Sequence, residues 1–213
     1  TEEPLWIAFG FDTYAGVTYG TSDSPVYLGW GVNPLYANFV PTGEYSGLMT
    51  LPRELSLCET EEGYRLKTKP FGIDEYRAGA FPIGNQKPLL TESFGLLVQG
   101  NFGRIALKNS RGEEVVIEVT VDSITVDRSK SGDLSYFDDV DPKLFKKEDL
   151  LVSTTKRYMR GNVNMEIIFD VSYLEIYADG GLETASVCVY PDAPYQVVST
   201  DGDLEVKMYT IKK

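Results

Sequence analysis

Histidine is absent from this 213-residue chain. That absence excludes Ser-His-Asp and Cys-His catalysis and removes the commonest zinc ligand. Cysteine is almost absent too. Cys58 and Cys188 stand far apart, in no metal-spaced pair, and read as separate buried thiols in strands; a disulfide is the weaker reading. No apolar run approaches the roughly 18 to 20 residues of a membrane span. Asn-x-Ser/Thr sequons are missing, which mildly disfavours a heavily glycosylated eukaryotic secreted form. No initiator Met or signal peptide opens the chain, which starts TEEPLWIAF close to a strand and reads as a processed, truncated or cut segment. Positive charge is scarce. Twenty Lys and Arg stand against 32 Asp and Glu, a net charge of −12. A surface this acidic repels phosphate backbones and anionic lipid, so neither nucleic acid nor membrane is an expected partner. Carboxylate, Tyr and Ser/Lys chemistry remain.

What the chain does have is strand. Hydrophobic residues make up 42% and charged residues 24%, with no polar tract, so the chain is globular. Fourteen Tyr against two Trp suit half-buried strands and also sugar sites, where the ring stacks and the hydroxyl bonds. Val115, Ile117, Val119 and Val121 alternate with Glu118, Thr120 and Asp122, and a turn at Asp122-Ser123 moves the apolar set to Ile124 and Val126. Ile167, Phe169 and Val171 form another run. Leu174, Ile176 and Ala178 lead into Asp179-Gly180-Gly181, a hairpin signal, with Val187 and Val189 on the return and Leu204, Val206 and Met208 at the end. Short strands at this spacing predict a β-sandwich from about residue 80 to 213. Helix is scarce: about two turns after Asp141-Pro142 and a short piece at 73–77.

The first seventy residues have a different texture. Strand-like segments at 11–19, 26–32, 47–58 and 64–69 make one four-stranded propeller blade, with a linker at 71–79. A lone blade cannot bury both faces and must pack on something. No second copy of the blade pattern follows. The fold class is therefore all-β: one blade, then a sandwich.

Those seventy residues resemble glycoside hydrolase family 32, the invertase, levanase and inulinase family. FGFDTYAGVTYG (9–20), YLGWGVNPLYANFVPT (27–42) and YSGLMTLPRELSL (45–57) are similar, in order and at natural spacing, to the family's Phe-Gly-x-Asp, Gly-Trp and Leu-Pro-Arg-Glu-Leu segments. ITVDRSKSG (124–132) and FDVSYLEIYADGGLETASVCVYP (169–191) resemble its sandwich. The resemblance implies that residues 1–70 are the last blade of a five-bladed propeller. It also implies retaining hydrolysis by two carboxylates about 5 Å apart, held in earlier blades. Their Asn-Asp-Pro-Asn-Gly and Glu-Cys motifs, and the stabilising Arg-Asp-Pro, do not occur in this sequence; Cys58-Glu59 has the reverse order and lies on the wrong blade. No catalytic residue is therefore assigned to this chain. It is expected to lack activity by itself.

The last blade can still wall a sugar pocket. The innermost strand of a blade borders the central funnel, so Asp12 and Tyr14 are candidate substrate contacts, weighed against an ion pair and a packed aromatic. Trp30, Asn33 and Tyr36 in the following segment complete the set, against core packing for Trp30 and a turn role for Asn33. Where the family usually carries an aromatic, this chain has Pro34. Arg53 and Glu54 read as an ion pair between blade and sandwich. Asp138, Asp139 and Asp141 lack the Gly and bidentate Glu of a calcium loop, so they read as a solvated loop and no metal or other cofactor is expected. The expected partners are sucrose or a fructan, the N-terminal propeller portion of the same protein and, through the sandwich, a second copy in a homodimer. The rival readings are a non-catalytic carbohydrate-binding or assembly module and one chain of a nicked two-chain enzyme.

Overall fold

Alternating apolar and polar residues build two stacked sheets and a third, smaller one beside them. The computed structural model describes residues 6–21, 23–43, 45–83, 87–89 and 91–212. The opening residues 1–5, expected to lead towards a strand, lie outside the described residues. In chain order the strands are β1 (Tyr14–Thr21), β2 (Ser24–Gly31), β3 (Leu48–Met49), β4 (Arg53–Thr60), β5 (Gly63–Pro70), β6 (Arg77–Ile83), β7 (Lys87–Pro88), β8 (Ser93–Gly100), β9 (Gly103–Lys108), β10 (Glu114–Val119), β11 (Ser123–Lys130), β12 (Val152–Lys156), β13 (Val163–Asp170), β14 (Tyr173–Ala178), β15 (Glu183–Cys188), β16 (Val197–Gly202) and β17 (Glu205–Ile211).

The first sheet is an antiparallel meander in the order β1-β2-β4-β5, with the short β3 also on β2. The third strand-like segment is thus two strands. Pro52 offers no N–H to the ladder, and pairing stops after Met49 and resumes at Arg53. A 3₁₀ turn at Ile73–Tyr76 carries the chain to β6, which already pairs with β17 in the sandwich.

The sandwich stacks β12-β11-β10-β9-β16-β7 on β15-β14-β13-β8-β17-β6. Ile105, Leu107, Ile117, Ile124 and Val126 of the first sheet meet Phe94, Leu96, Ile167, Leu174, Ile176 and Val187 of the second in one buried cluster. Each such side chain contributes about 1.5–3 kcal/mol by leaving water. Two expectations need correction here. β10 ends at Val119 and not at Val121, because the turn closes one step earlier, with Thr120 N–H donating to the Ser123 carbonyl at 2.9 Å. Val121 is left exposed on that turn. The stretch after Asp141-Pro142 forms a turn and then a 3₁₀ turn at Lys147–Leu150 instead of two helical turns. Its only apolar anchor is the buried Leu150, so little burial supports a longer helix.

β14 and β15 differ from every other strand in being buried at each residue. One face, Leu174, Ile176, Ala185 and Val187, fills the sandwich core. The other face, Tyr173, Glu175, Tyr177, Thr184, Ser186 and Cys188, meets the blade. A second cluster joins Val32, Tyr36, Ala37 and Val40 to Tyr136, Phe137, Tyr173, Cys188 and Tyr190 across that junction. Tyr36 sits 5.2 Å from the Tyr136 ring and 5.1 Å, edge-on, from Phe137; such pairs are worth about 0.5–1.5 kcal/mol each beyond burial. Cys188 is a buried thiol as expected, whereas Cys58 on β4 is only half-buried; neither is in a disulfide.

Candidate functional site

Residues 6–13 do not start a strand of the blade. They run along the edge of β15, where Phe9 N–H donates to the Thr184 carbonyl at 2.7 Å and Asp12 N–H to the Ser186 carbonyl at 3.0 Å. Gly10 permits this approach: a Cβ there would stand 2.3 Å from the Ser186 carbonyl oxygen. The Asp12 side chain consequently points into the junction. Its Oδ2 accepts Arg128 Nη1 and the Cys188 N–H, each at 2.7 Å, and its Oδ1 accepts the Tyr36 hydroxyl. Both Asp12 and Arg128 are wholly buried.

Arg128 spends its other donors on the Leu150 carbonyl (2.9 Å), the Cys188 carbonyl (3.0 Å) and the Tyr36 hydroxyl oxygen (2.8 Å). Its guanidinium lies over the rings of Phe11 at 4.5 Å and Phe137 at 5.0 Å. Burial works against its charge, yet Tyr36 and Asp12 outweigh that and hold its pKa above the usual value. Burial also pushes the Tyr36 hydroxyl well up, so Tyr36 stays a donor to Asp12. A charged pair removed from water is tolerated only with this degree of satisfaction.

A second link crosses the junction further out. Arg53 of β4 pairs with Glu175 of β14 at 3.3 Å and donates to Tyr177 Oη at 3.2 Å and Ser186 Oγ at 2.5 Å. Glu175 also accepts the Leu51 N–H at 2.9 Å and the Tyr177 hydroxyl. Arg53 therefore ties blade to sandwich, but its partner is Glu175. Glu54 is exposed.

Between these links and the end of β12 opens a cleft of about 660 Å3. Trp6, Phe11, Tyr14, Asn33, Pro34, Arg65, Tyr158 and Glu183 are among the residues that line it. A bulge positions Tyr14: the β1–β2 register slips between Tyr14 and Val17, with Ala15 at φ 47°, leaving Tyr14 opposite Trp30 and 52% exposed. Asn33 lines the cleft, but its Nδ2 donates to the Phe11 carbonyl at 3.1 Å and its Oδ1 caps the Leu35 N–H at 3.0 Å. Trp30 donates from Nε1 to the Ser46 carbonyl at 3.0 Å and packs on the junction cluster.

Of the five expected substrate contacts, the cleft brings together Tyr14 and Asn33. Asp12 and Tyr36 lie in the buried link, their polar atoms taken by protein partners, because Arg128 reaches them from the sandwich. Trp30 packs on the junction cluster and is not among the residues lining the cleft. Sequence reasoning missed Arg128, Arg65, Tyr158 and Glu183. Arg128 had a signal: it continues the inward alternation of Ile124 and Val126, so it had to be buried and had to find a carboxylate. In the acidic loop, Asp138 pairs with Lys147 at 2.6 Å and Asp141 accepts the Lys143 N–H at 2.9 Å. Among the described residues no group of three or more carboxylates and thiols is placed to hold a metal ion.

Known proteins resemble this chain in sequence and in fold. The chain is 25% identical to a levanase of Bacillus subtilis (strain 168) over 97% of its own length and 34% of the levanase. It is 24% identical to an extracellular exo-inulinase of Aspergillus awamori, over 94% of the chain and 41% of the relative. The crystal structure of exo-inulinase from Aspergillus awamori superposes with a TM-score of 0.82 at 20% identity, covering 98% of this chain and 44% of that one. Sucrose-6-phosphate hydrolase from Lactobacillus gasseri superposes with a TM-score of 0.77 at 19% identity, covering 97% and 42%. The chain thus spans less than half the length of these relatives. Residues 1–70 match the Glycosyl hydrolases family 32 N-terminal domain and residues 87–213 match Glycosyl hydrolases family 32 C terminal, so a blade bound to a sandwich through Asp12 and Arg128 belongs to glycoside hydrolase family 32.

Proposed function

We propose that this chain is the C-terminal portion of a retaining β-fructofuranosidase-like hydrolase acting on sucrose or on fructans such as inulin and levan. Residues 1–70 serve as the last blade of a five-bladed propeller, residues 71–79 as a linker whose end already enters β6 on β17, and residues 80–213 as the sandwich that buttresses it. The observation that carries this reading is the one-sidedness of the blade. Every residue of β1 is exposed, and Val17 and Tyr19 stand more than half exposed on the face turned away from Arg53, which pins the sheet to the sandwich. Such a face calls for a neighbouring blade, supplied by the N-terminal propeller portion. The relatives named for levan and inulin support the substrate class.

In this reading the two carboxylates, about 5 Å apart for retention, come from the earlier blades. Tyr14 and Asn33 border the sugar pocket at the cleft, and Trp30 packs on the junction cluster. Asp12 and Tyr36 act at one remove, holding the start of β1 against Arg128. The sandwich also offers a surface for a homodimer. The test is fructose release from sucrose and inulin by the chain alone and by the chain joined to a family propeller portion. Activity should appear only with the propeller; release by the purified chain alone would sink the assignment of the chemistry to other blades.

One observation favours a second reading, a carbohydrate-binding module. The cleft is open and flanked by Trp6, Tyr14 and Tyr158, rings on which a sugar face can stack. Titrating inulin and levan oligosaccharides against the chain decides it: saturable binding lost in Tyr14→Ala supports the module, and no saturable binding removes it.

A further inference from the structure

We infer that Glu183 is a proton-dependent latch between sandwich and blade: protonated, it holds the turn at residues 179–182 against β5, and ionised, it drives that turn off. The turn is held on the blade by three contacts. Thr68 N–H donates to the Gly181 carbonyl at 2.8 Å, and the Thr68 and Thr184 hydroxyls share a hydrogen bond at 2.5 Å. Gly181, at φ 95°, lies so close that a Cβ would stand 2.0 Å from the Thr68 carbonyl oxygen. Glu183 follows the turn directly, and its side chain lies on the sandwich side of β15 with Ala178 and Ala185, beneath the turn that Thr184 and Gly181 hold on β5.

The surroundings of Glu183 suit a neutral carboxyl. Its side chain is 2% exposed; Oε1 accepts the Tyr158 N–H at 2.7 Å, while Oε2 has no hydrogen-bond partner. Asp179 faces it and supplies an acceptor for a carboxylic O–H. The nearest cation is already balanced. Arg157 grips Asp179 with both Nε (2.8 Å) and Nη2 (3.1 Å), and turns Nη1 to the carbonyls of Thr120, Val121 and Gly161. One guanidinium against two carboxylates leaves a buried negative charge uncompensated.

The other charges around the clamp do not supply a partner. On β5, Arg65 stacks on the Tyr158 ring at 4.6 Å and donates to Glu62, and Lys67 lies beside Gly180. At the end of β12, Lys156 pairs with Glu62. Asp149, which also lines the cleft, adds only like charge. Burial, with Asp179 adding to it and the Tyr158 N–H opposing it, pushes the Glu183 carboxyl up to about 7.

The direction of the effect follows. The open turn exposes Glu183, which then ionises as an ordinary carboxylate, releasing its proton to water. Between the ordinary value and about 7 the closed form holds more protons than the open one, so rising pH favours opening in that window and no further above it.

The test uses the 213-residue chain. The side-chain carboxyl carbon of Glu183 is titrated by NMR, and the hydrogen-exchange protection of the Thr68 amide is followed from pH 5 to pH 7.5. The expected midpoint lies near 7, and the Thr68 protection factor should fall by about tenfold or more across the window. In Glu183→Gln, which keeps a donor towards Asp179, protection should be flat. A midpoint in the ordinary carboxylate range, or an equal fall in Glu183→Gln, overturns the latch. The wild-type titration stands on its own should the variant fold poorly. Asp179→Asn gives a separate reading, since removing that anion should bring the Glu183 midpoint down.

Discussion

β1 is exposed at every residue, whereas β14 and β15 are buried at every residue. All three are short antiparallel strands that mix apolar with polar residues, so composition alone does not separate them. Position does. β14 and β15 lie between two partners that this chain itself provides, the opposite sandwich sheet and the blade. β1 has one partner strand, and the chain covers neither of its faces. The sandwich therefore carries its own stability, and the blade draws its stability from the side it shares with β14 and β15. The lesson is that the outer face of a sandwich sheet can be written as a socket, with Glu175, Ser186 and Thr184 set where solvent-facing residues would normally stand.

The sharpest way to break this contrast is Arg128→Ala. Deleting the cation leaves Asp12 buried and unpaired, which costs about 3–5 kcal/mol. Chemical denaturation followed by near-ultraviolet dichroism should show the blade unfolding ahead of the sandwich, where the wild-type chain unfolds with the two coupled. Gly181→Ala should cost about 1–3 kcal/mol, because it strains the φ 95° turn. It also pushes the turn off β5, seen as faster exchange at Thr68. Glu183→Gln is expected to matter through pH: wild-type thermal stability should decline from pH 5 to pH 7.5 relative to the variant, by a few degrees at about 2–4 °C per kcal/mol. Tyr19→Lys, on the blade face turned away from Arg53 where the residue is 57% exposed, should change stability by less than about 0.5 kcal/mol. It should instead reduce self-association in sedimentation runs. A large destabilisation there would mean that the face is not free.

The strands of the sandwich were legible because period-two alternation is local: Val115, Ile117 and Val119 announce their own face. Only half of β14 and β15 was legible. Leu174 and Ile176 declare the core side, but Glu175 and Tyr177 read as solvent-facing, since the residues that bury them, Leu51 and Arg53, are more than a hundred positions away in sequence. Asp12 illustrates the same limit. A carboxylate at that position had to be paired or face a polar space, and the choice depended on Arg128, 116 residues on. Tyr14 and Asn33 line the cleft, and the features that singled them out are local, the first strand of the blade for Tyr14 and the loop beside Pro34 for Asn33. Tyr158 and Glu183 come from strand ends brought together by the fold.

The path of residues 6–13 along β15 has an effect on how the molecule behaves in company. β15 is the last strand of its sheet, and an uncovered last strand offers a row of free N–H and C=O groups on which another chain can build. Here Phe9 and Asp12 occupy that row. The leading segment thus acts as a selvedge, finishing the woven edge. Losing its grip would at once release the blade and leave a strand ready to pair with a stranger, so detachment of the blade and aggregation of the chain should begin together.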